Sequence, residues 1–141
     1  MKISDILRHK GTDVATIGAD GAVTDLLDVL ASHGIGALVV TGSSGIAGIV
    51  SERDIVRALA DRGASVLTAQ VADIMTTDVV HCTPGDDIDQ VAGTMTERRI
   101  RHMPVLDNGA LVGIVSIGDV VSSRIRQLEH DRVQLEHYIT G

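Results

Sequence analysis

The sequence predicts an α/β fold built from two tandem β-α-β-β-α repeats, with an extended C-terminal helix. Three observations carry that reading. First, Gly48-Ile49-Val50-Ser51-Glu52-Arg53-Asp54-Ile55-Val56 returns as Gly113-Ile114-Val115-Ser116-Ile117-Gly118-Asp119-Val120-Val121, with six of nine residues identical at an offset of 65. Second, the same offset sets Val14 on Val79, Ile35 on Ile100 and Val40 on Val105. Third, each copy alternates short apolar runs of β-branched residues with apolar stripes of helical spacing. An upstream echo, Ser4-Asp5-Ile6-Leu7 against Ala72-Asp73-Ile74-Met75, runs at an offset of 68, so the first copy carries a three-residue insertion near Gly11.

Each copy opens on a short predicted strand, Val14 to Ile17 and Val79 to Cys82. A helix follows, over Val23 to His33 and Ile88 to Arg98. Leu26, Leu27 and Leu30 give the first an apolar stripe, and Val91, Ala92 and Met95 the second. Gly34 is placed to end the first helix, and Asp86 or Asp87 to cap the start of the second. Two hairpins come next. Ala37–Thr41 and Ile46–Val50 flank Gly42-Ser43-Ser44-Gly45; Met103–Leu106 and Leu111–Val115 flank Asp107-Asn108-Gly109-Ala110. Gly-rich and Asn-Gly loops between apolar runs are hairpin signals. A last helix starts after Ser51 and after Ser116, where Ser51-Glu52-Arg53-Asp54 reads as a capping-box start with Asp in place of the usual Glu. The expected division is residues 1–63 for the first repeat, 64–70 for a linker, 71–124 for the second repeat and 125–141 for a helical extension.

Composition narrows the function. Apolar residues make up 44% of the chain and Tyr138 is the single aromatic, so the core must be aliphatic. A net charge of −7 argues against nucleic acid as a partner, since duplex binders present a basic face. Cys82 is the lone cysteine, which excludes an internal disulfide and a Cys-based zinc site. The start Met1-Lys2-Ile3-Ser4-Asp5 lacks the apolar run of a signal peptide, and no stretch approaches the ~20 apolar residues that span a bilayer. The expected location is the cytoplasm, with no membrane partner.

The double β-α-β-β-α order, with Gly-Ile-Val-Ser-x-x-Asp at each strand-to-helix corner and the apolar-Pro-Val segment His102-Met103-Pro104-Val105, resembles the CBS domain family, in particular small stand-alone bacterial CBS pairs. The resemblance covers nearly the whole chain. It implies two repeats related by a pseudo-two-fold, a cleft with two equivalent nucleotide sites, and homodimerisation.

The corners have chemistry suited to such a ligand. A helix N-terminus exposes unpaired N–H groups and partial positive charge, an anion site in waiting. Ser51 offers a hydroxyl, Arg53 a charge-assisted donor, and Asp54 a carboxylate able to accept from ribose hydroxyls. Ser followed three residues later by Asp is equally the signature of an ordinary helix start; the repetition, the arginine and the resemblance tip the balance. Carried over from the family, Ser51, Arg53 and Asp54 would work with Thr77, Val80, Ile100, Arg101, His102 and Pro104. The second site would use Ser116 and Asp119 with Thr12, Ala15, Ile35, Gly36 and Ala37. It is expected to be the weaker, because Gly118 stands in the place of Arg53 and Val39 in that of Pro104. The expected ligand is an adenine nucleotide, AMP first, with ADP, ATP or NAD(H) as candidates.

Other signals are set aside. His81 and Cys82 are adjacent and would point to opposite faces of a strand. His130 and His137 are too far apart for a helical metal site. Gly34-Ile35-Gly36 lacks the third glycine of a dinucleotide fingerprint, and lysine occurs only at Lys2 and Lys10, so there is no phosphate-binding P-loop. No catalytic set or metal cage is evident. The expectation is a regulatory binding module that is not an enzyme, with a structural homodimer bearing vestigial pockets, and then a nucleotide-processing enzyme, as alternatives. In the C-terminal helix, Val121, Ile125, Leu128, Leu135 and Ile139 recur at spacings of four and three, interrupted by Arg132, which suggests packing on a second copy.

Overall fold

A computed structural model describes residues 1–140. In chain order the elements are α1 (Ile3–Lys10), β1 (Thr16–Gly18), α2 (Val23–His33), β2 (Ala37–Gly42), β3 (Gly45–Ser51), α3 (Glu52–Arg62), 3-10 turns at Gly63–Thr68 and Val71–Asp73, α4 (Ile88–Arg98), β4 (His102–Asp107), β5 (Ala110–Ser116) and the 24-residue α5 (Ile117–Thr140). Both predicted hairpins and the helices at 23–33 and 88–98 form as expected.

The chain folds into two compact units, one made of Asp13–Val80, the other of Met1–Thr12 with His81–Gly141. Each unit thus takes the opening segment of the repeat to which it does not otherwise belong in sequence. In the first unit the sheet order is β1-β2-β3, with β1 parallel and β3 antiparallel to β2. Its core is aliphatic: Leu26 and Leu30 of α2, Leu38 and Val40 of β2, Val50, Ile55 and Val71 form one buried cluster. Residues 64–70, expected as a linker, are an ordered turn: Val66 is fully buried, the Val71 N–H donates to the Gly21 carbonyl and the Val23 N–H to the Ala69 carbonyl.

In the second unit β4 pairs antiparallel with β5. The turn residues Asn108 and Gly109 both have positive φ, 51° and 82°, which a tight type I′ hairpin requires and which explains the Asn-Gly pair. The N-terminal segment is tied into this unit by the Ile3 N–H on the Asp86 carbonyl, 2.9 Å, and the Lys2–Asp87 ion pair, 2.8 Å.

Three expectations need correction. The first strand is Thr16–Gly18 rather than Val14–Ile17, because the parallel ladder engages β2 only from Val39 onward. The second copy's opening strand, expected at Val79–Cys82, is reduced to one isolated parallel bridge, Cys82 with Val105. The cause is proline. In the first unit the Ala19 N–H extends the pairing to the Thr41 carbonyl; the residue 65 further on is Pro84, which has no N–H to give. Finally, Asp87 occupies the N-cap position of α4 but caps nothing, since its carboxylate is held by Lys2, while Asp86 accepts from the Thr83 N–H.

Candidate functional site

The two Ser-x-x-Asp corners stand at the N-termini of α3 and α5, where the last residue of a strand becomes the first cap of a helix. At the first, Ser51 and Asp54 form a reciprocal capping box. The Ser51 N–H donates to Asp54 Oδ2 at 2.9 Å, and the Asp54 N–H to Ser51 Oγ at 3.4 Å. The Ser51 hydroxyl also donates to Asp54 Oδ2, 3.1 Å, and the Thr76 hydroxyl to Asp54 Oδ1, 3.1 Å. Both carboxylate oxygens therefore already have hydroxyl partners. Glu52 and Arg53 are exposed beside it, and the Glu52 N–H binds the Gly36 carbonyl at 3.0 Å.

The second corner repeats the box: Ser116 N–H to Asp119 Oδ2 at 2.8 Å, and Asp119 N–H to Ser116 Oγ at 3.1 Å. It differs in one group. Lys10, the last residue of α1, donates from Nζ to Asp119 Oδ2 at 2.6 Å and to the Ile114 carbonyl at 2.8 Å. Although Gly118 stands in the place of Arg53, this corner has a cation of its own, which arrives from 109 residues away. The readable signal was the three-residue insertion near Gly11, which accompanies an eight-residue α1 where the other copy has only the 3-10 turn Val71–Asp73.

The other residues singled out divide between the units. Thr77 is exposed and Val80 half-buried in the unit of Asp54, together with Ala15, Ile35, Gly36 and Ala37. Within that unit Ala37 is the strand partner of Ser51. Ile100, Arg101, His102 and Pro104 belong to the unit of Asp119, as does the exposed Thr12. There His102 is the partner of Ser116, and the Ile117 N–H binds the Arg101 carbonyl at 2.8 Å. Within each unit, then, a corner is bordered by the start of the strand paired with the one that leads into it, β2 at Ala37 and β4 at His102.

The ionisations of Asp119 and Cys82 are displaced in opposite directions. Partial burial works to raise the Asp119 pKa, but hydrogen bonds from Lys10 and Ser116 and the nearby Lys10 charge outweigh it, and the carboxyl is held below its ordinary value. A carboxyl depressed in the fold adds stability above its unfolded pKa of about 3.9, and that stability is lost as pH falls through the lower folded value. Asp119→Asn is therefore expected to flatten the decline of urea stability below about pH 4; an unchanged acid limb would show the pair contributes nothing. The buried Cys82 thiol is pushed up to about 12, chiefly by burial and then by the Asp86 charge. It stays protonated and is no nucleophile, while its neighbour His81 is exposed. Among the described residues no cluster of three potential metal ligands occurs, and no helix is long and apolar enough to cross a membrane.

The CBS domain model matches residues 3–61 and 71–126. The mitochondrial CBS domain-containing protein CBSX3 of Arabidopsis thaliana is 34% identical, over 99% of this chain and 72% of its own length. A CBS-domain-containing protein from Agrobacterium tumefaciens has a crystal structure that superposes with a TM-score of 0.84 at 45% identity, covering 87% of this chain and 92% of that one. The CBS domain pair of protein MJ0100, solved in complex with 5′-methylthioadenosine and S-adenosyl-L-methionine, superposes with a TM-score of 0.77 at 27% identity, over 92% of this chain and 98% of that one. With both repeats matched in register by the family's model and by solved pairs of nearly equal length, this chain belongs to the CBS domain family.

Proposed function

We propose that this CBS pair is a regulatory module that binds an adenine-containing nucleotide and performs no chemistry on it. The observation that carries the reading is the pair of equivalent corners, each a helix N-terminus with a Ser hydroxyl and an Asp carboxylate locked in a capping box. Such a corner supplies N–H donors for an anion and a carboxylate for a sugar diol. The ligands in the MJ0100 pair, both adenosine derivatives, support the base and sugar. AMP is the first candidate, with ADP, ATP and NAD(H) following. Ser51, Arg53 and Asp54 are proposed as one set of ligand groups and Ser116 and Asp119 as the other. The family resemblance adds Thr77, Val80, Ile100, Arg101, His102 and Pro104 to the first set, and Thr12, Ala15, Ile35, Gly36 and Ala37 to the second. A reducing compartment such as the cytoplasm suits a chain with one buried, protonated thiol.

Thermal and urea unfolding with AMP, ADP, ATP, NADH, 5′-methylthioadenosine and S-adenosyl-L-methionine test this directly. A ligand at about 100 times its Kd is expected to add ~2.7 kcal/mol of stability. No shift with any of them at millimolar concentration would leave the reading of a structural homodimer with vestigial pockets. Consumption of a nucleotide on prolonged incubation would make the protein an enzyme.

A further inference from the structure

We propose that Lys10 makes the Asp119 corner selective for a phosphorylated adenosine ligand; the inference rests on the nucleotide-binding reading and assigns a ligand class within it. The two units close the same strand edge in different ways. In one, Ile49 of β3 exchanges two backbone bonds with Thr76, 2.8 and 2.9 Å, and the Thr76 hydroxyl goes on to Asp54. In the other, the equivalent carbonyl of Ile114 in β5 is taken by the Lys10 ammonium, which goes on to Asp119. A charged, three-donor group thus stands where the first unit has a backbone amide and a neutral hydroxyl.

The consequence is a difference in which groups remain unspent. Lys10 uses two of its three N–H donors, and the third has no acceptor among the described residues. The Lys10 ammonium and the Ser116 N–H both bond Asp119 Oδ2, leaving Oδ1 without a partner among the described residues. The Ser116 hydroxyl accepts from the Asp119 N–H and also hydrogen-bonds the Asp119 side chain, so it is spent as Ser51 is. At the Asp54 corner Oδ1 is taken, since it accepts from the Thr76 hydroxyl, while the Ser51 hydroxyl is held by Asp54 as Ser116 is by Asp119. The Asp119 corner therefore offers, side by side, an open carboxylate oxygen for a ribose hydroxyl and a cationic donor for a phosphate oxygen. Lys10 is about one-third exposed, so its charge is only partly screened. At neutral pH it balances Asp119, and a dianionic phosphate meets no uncompensated carboxylate there.

Calorimetric titration with AMP and with adenosine, in an Asp54→Ala background that disables the other corner, decides the point. Lys10→Met keeps the aliphatic stem and removes the charge. It is expected to weaken AMP about tenfold or more and to leave adenosine unchanged, with Lys10→Arg restoring AMP. Urea midpoints of each variant separate a binding effect from unfolding. Equal losses for AMP and adenosine, or no loss for either, would overturn the selectivity and leave Lys10 a positioning residue. If the Asp54→Ala protein binds neither ligand while Asp119→Ala binds one, the inference falls and the nucleotide reading stands. If neither variant nor the wild type binds, the reading itself falls.

Discussion

Gly48→Ala is expected to destabilise the protein by about 3 kcal/mol, whereas Gly113→Ala, the same change in the same motif, should stay within about 1 kcal/mol of the wild type. A Cβ at Gly48 would lie 2.6 Å from the Thr76 carbonyl oxygen and 3.0 Å from the Met75 sulfur. The carbonyl cannot retreat, because Thr76 is held to Ile49 by a backbone bond in each direction. Admitting the methyl means breaking that bridge and pulling the Thr76 hydroxyl away from Asp54. At Gly113 the nearest atom is Leu7 Cδ2, at 2.5 Å, the end of a flexible side chain that has other rotamers. No backbone bridge is at stake there, since Lys10 Nζ covers the Ile114 carbonyl. Loss of unfolded-chain freedom on replacing glycine offsets part of the remaining cost. Urea unfolding of the two variants measures the difference; equal losses would show that Leu7 is as immovable as the Thr76 backbone.

The same pair of glycines marks what the sequence could and could not tell. The recurrence of Gly-Ile-Val-Ser-x-x-Asp was legible because it is local, and local rules govern what it builds: a strand, a cap and a helix. The limits of α2 and α4 were readable from apolar spacing for the same reason, as was the hairpin at Asn108-Gly109. Arg99 shows the limit of such rules. It takes the left-handed position, φ 55°, that Gly34 fills in the first copy, so α4 ends at the same place without a glycine. The features that distinguish the two corners are contacts between distant segments. Lys10 reaches Asp119, Thr76 reaches Asp54, and Pro84 withholds a bond that only Ala19's partner reveals. Residue identity at those positions carried no pattern by itself, and the weaker second site was inferred from near neighbours alone. The three-residue insertion near Gly11 was the one visible trace of that asymmetry.

Truncation after Arg124 is expected to weaken self-association by about a hundredfold or more, and Arg132→Leu to strengthen it by about tenfold. Beyond Ser123, α5 has no buried residue, yet it carries apolar side chains at regular intervals. Val121, Ile125, Leu128, Leu135 and Ile139 are between half and four-fifths exposed. Their steps are four, three, seven and four, and Arg132 completes the series, so positions 121, 125, 128, 132, 135 and 139 form an unbroken alternation of four and three. That is the spacing a two-stranded coil would use, and a second copy of the same helix would complement it, since an isologous contact sets like stripes together. Burying each Leu or Ile of the seam is worth roughly 1.5–3 kcal/mol, and truncation removes four of the five apolar members from each chain. Arg132 is the seam's one charged member, partnered at 3.8 Å by Glu136 on the same helix. A charge at such a position lowers stability while fixing register, so leucine there should tighten the pair. Sedimentation equilibrium of the full chain, the truncated chain and Arg132→Leu measures all three. A full-length protein that remains monomeric at high concentration, or a truncated one that associates as tightly as the full chain, would show that the apolar stripe of α5 serves something other than a second copy.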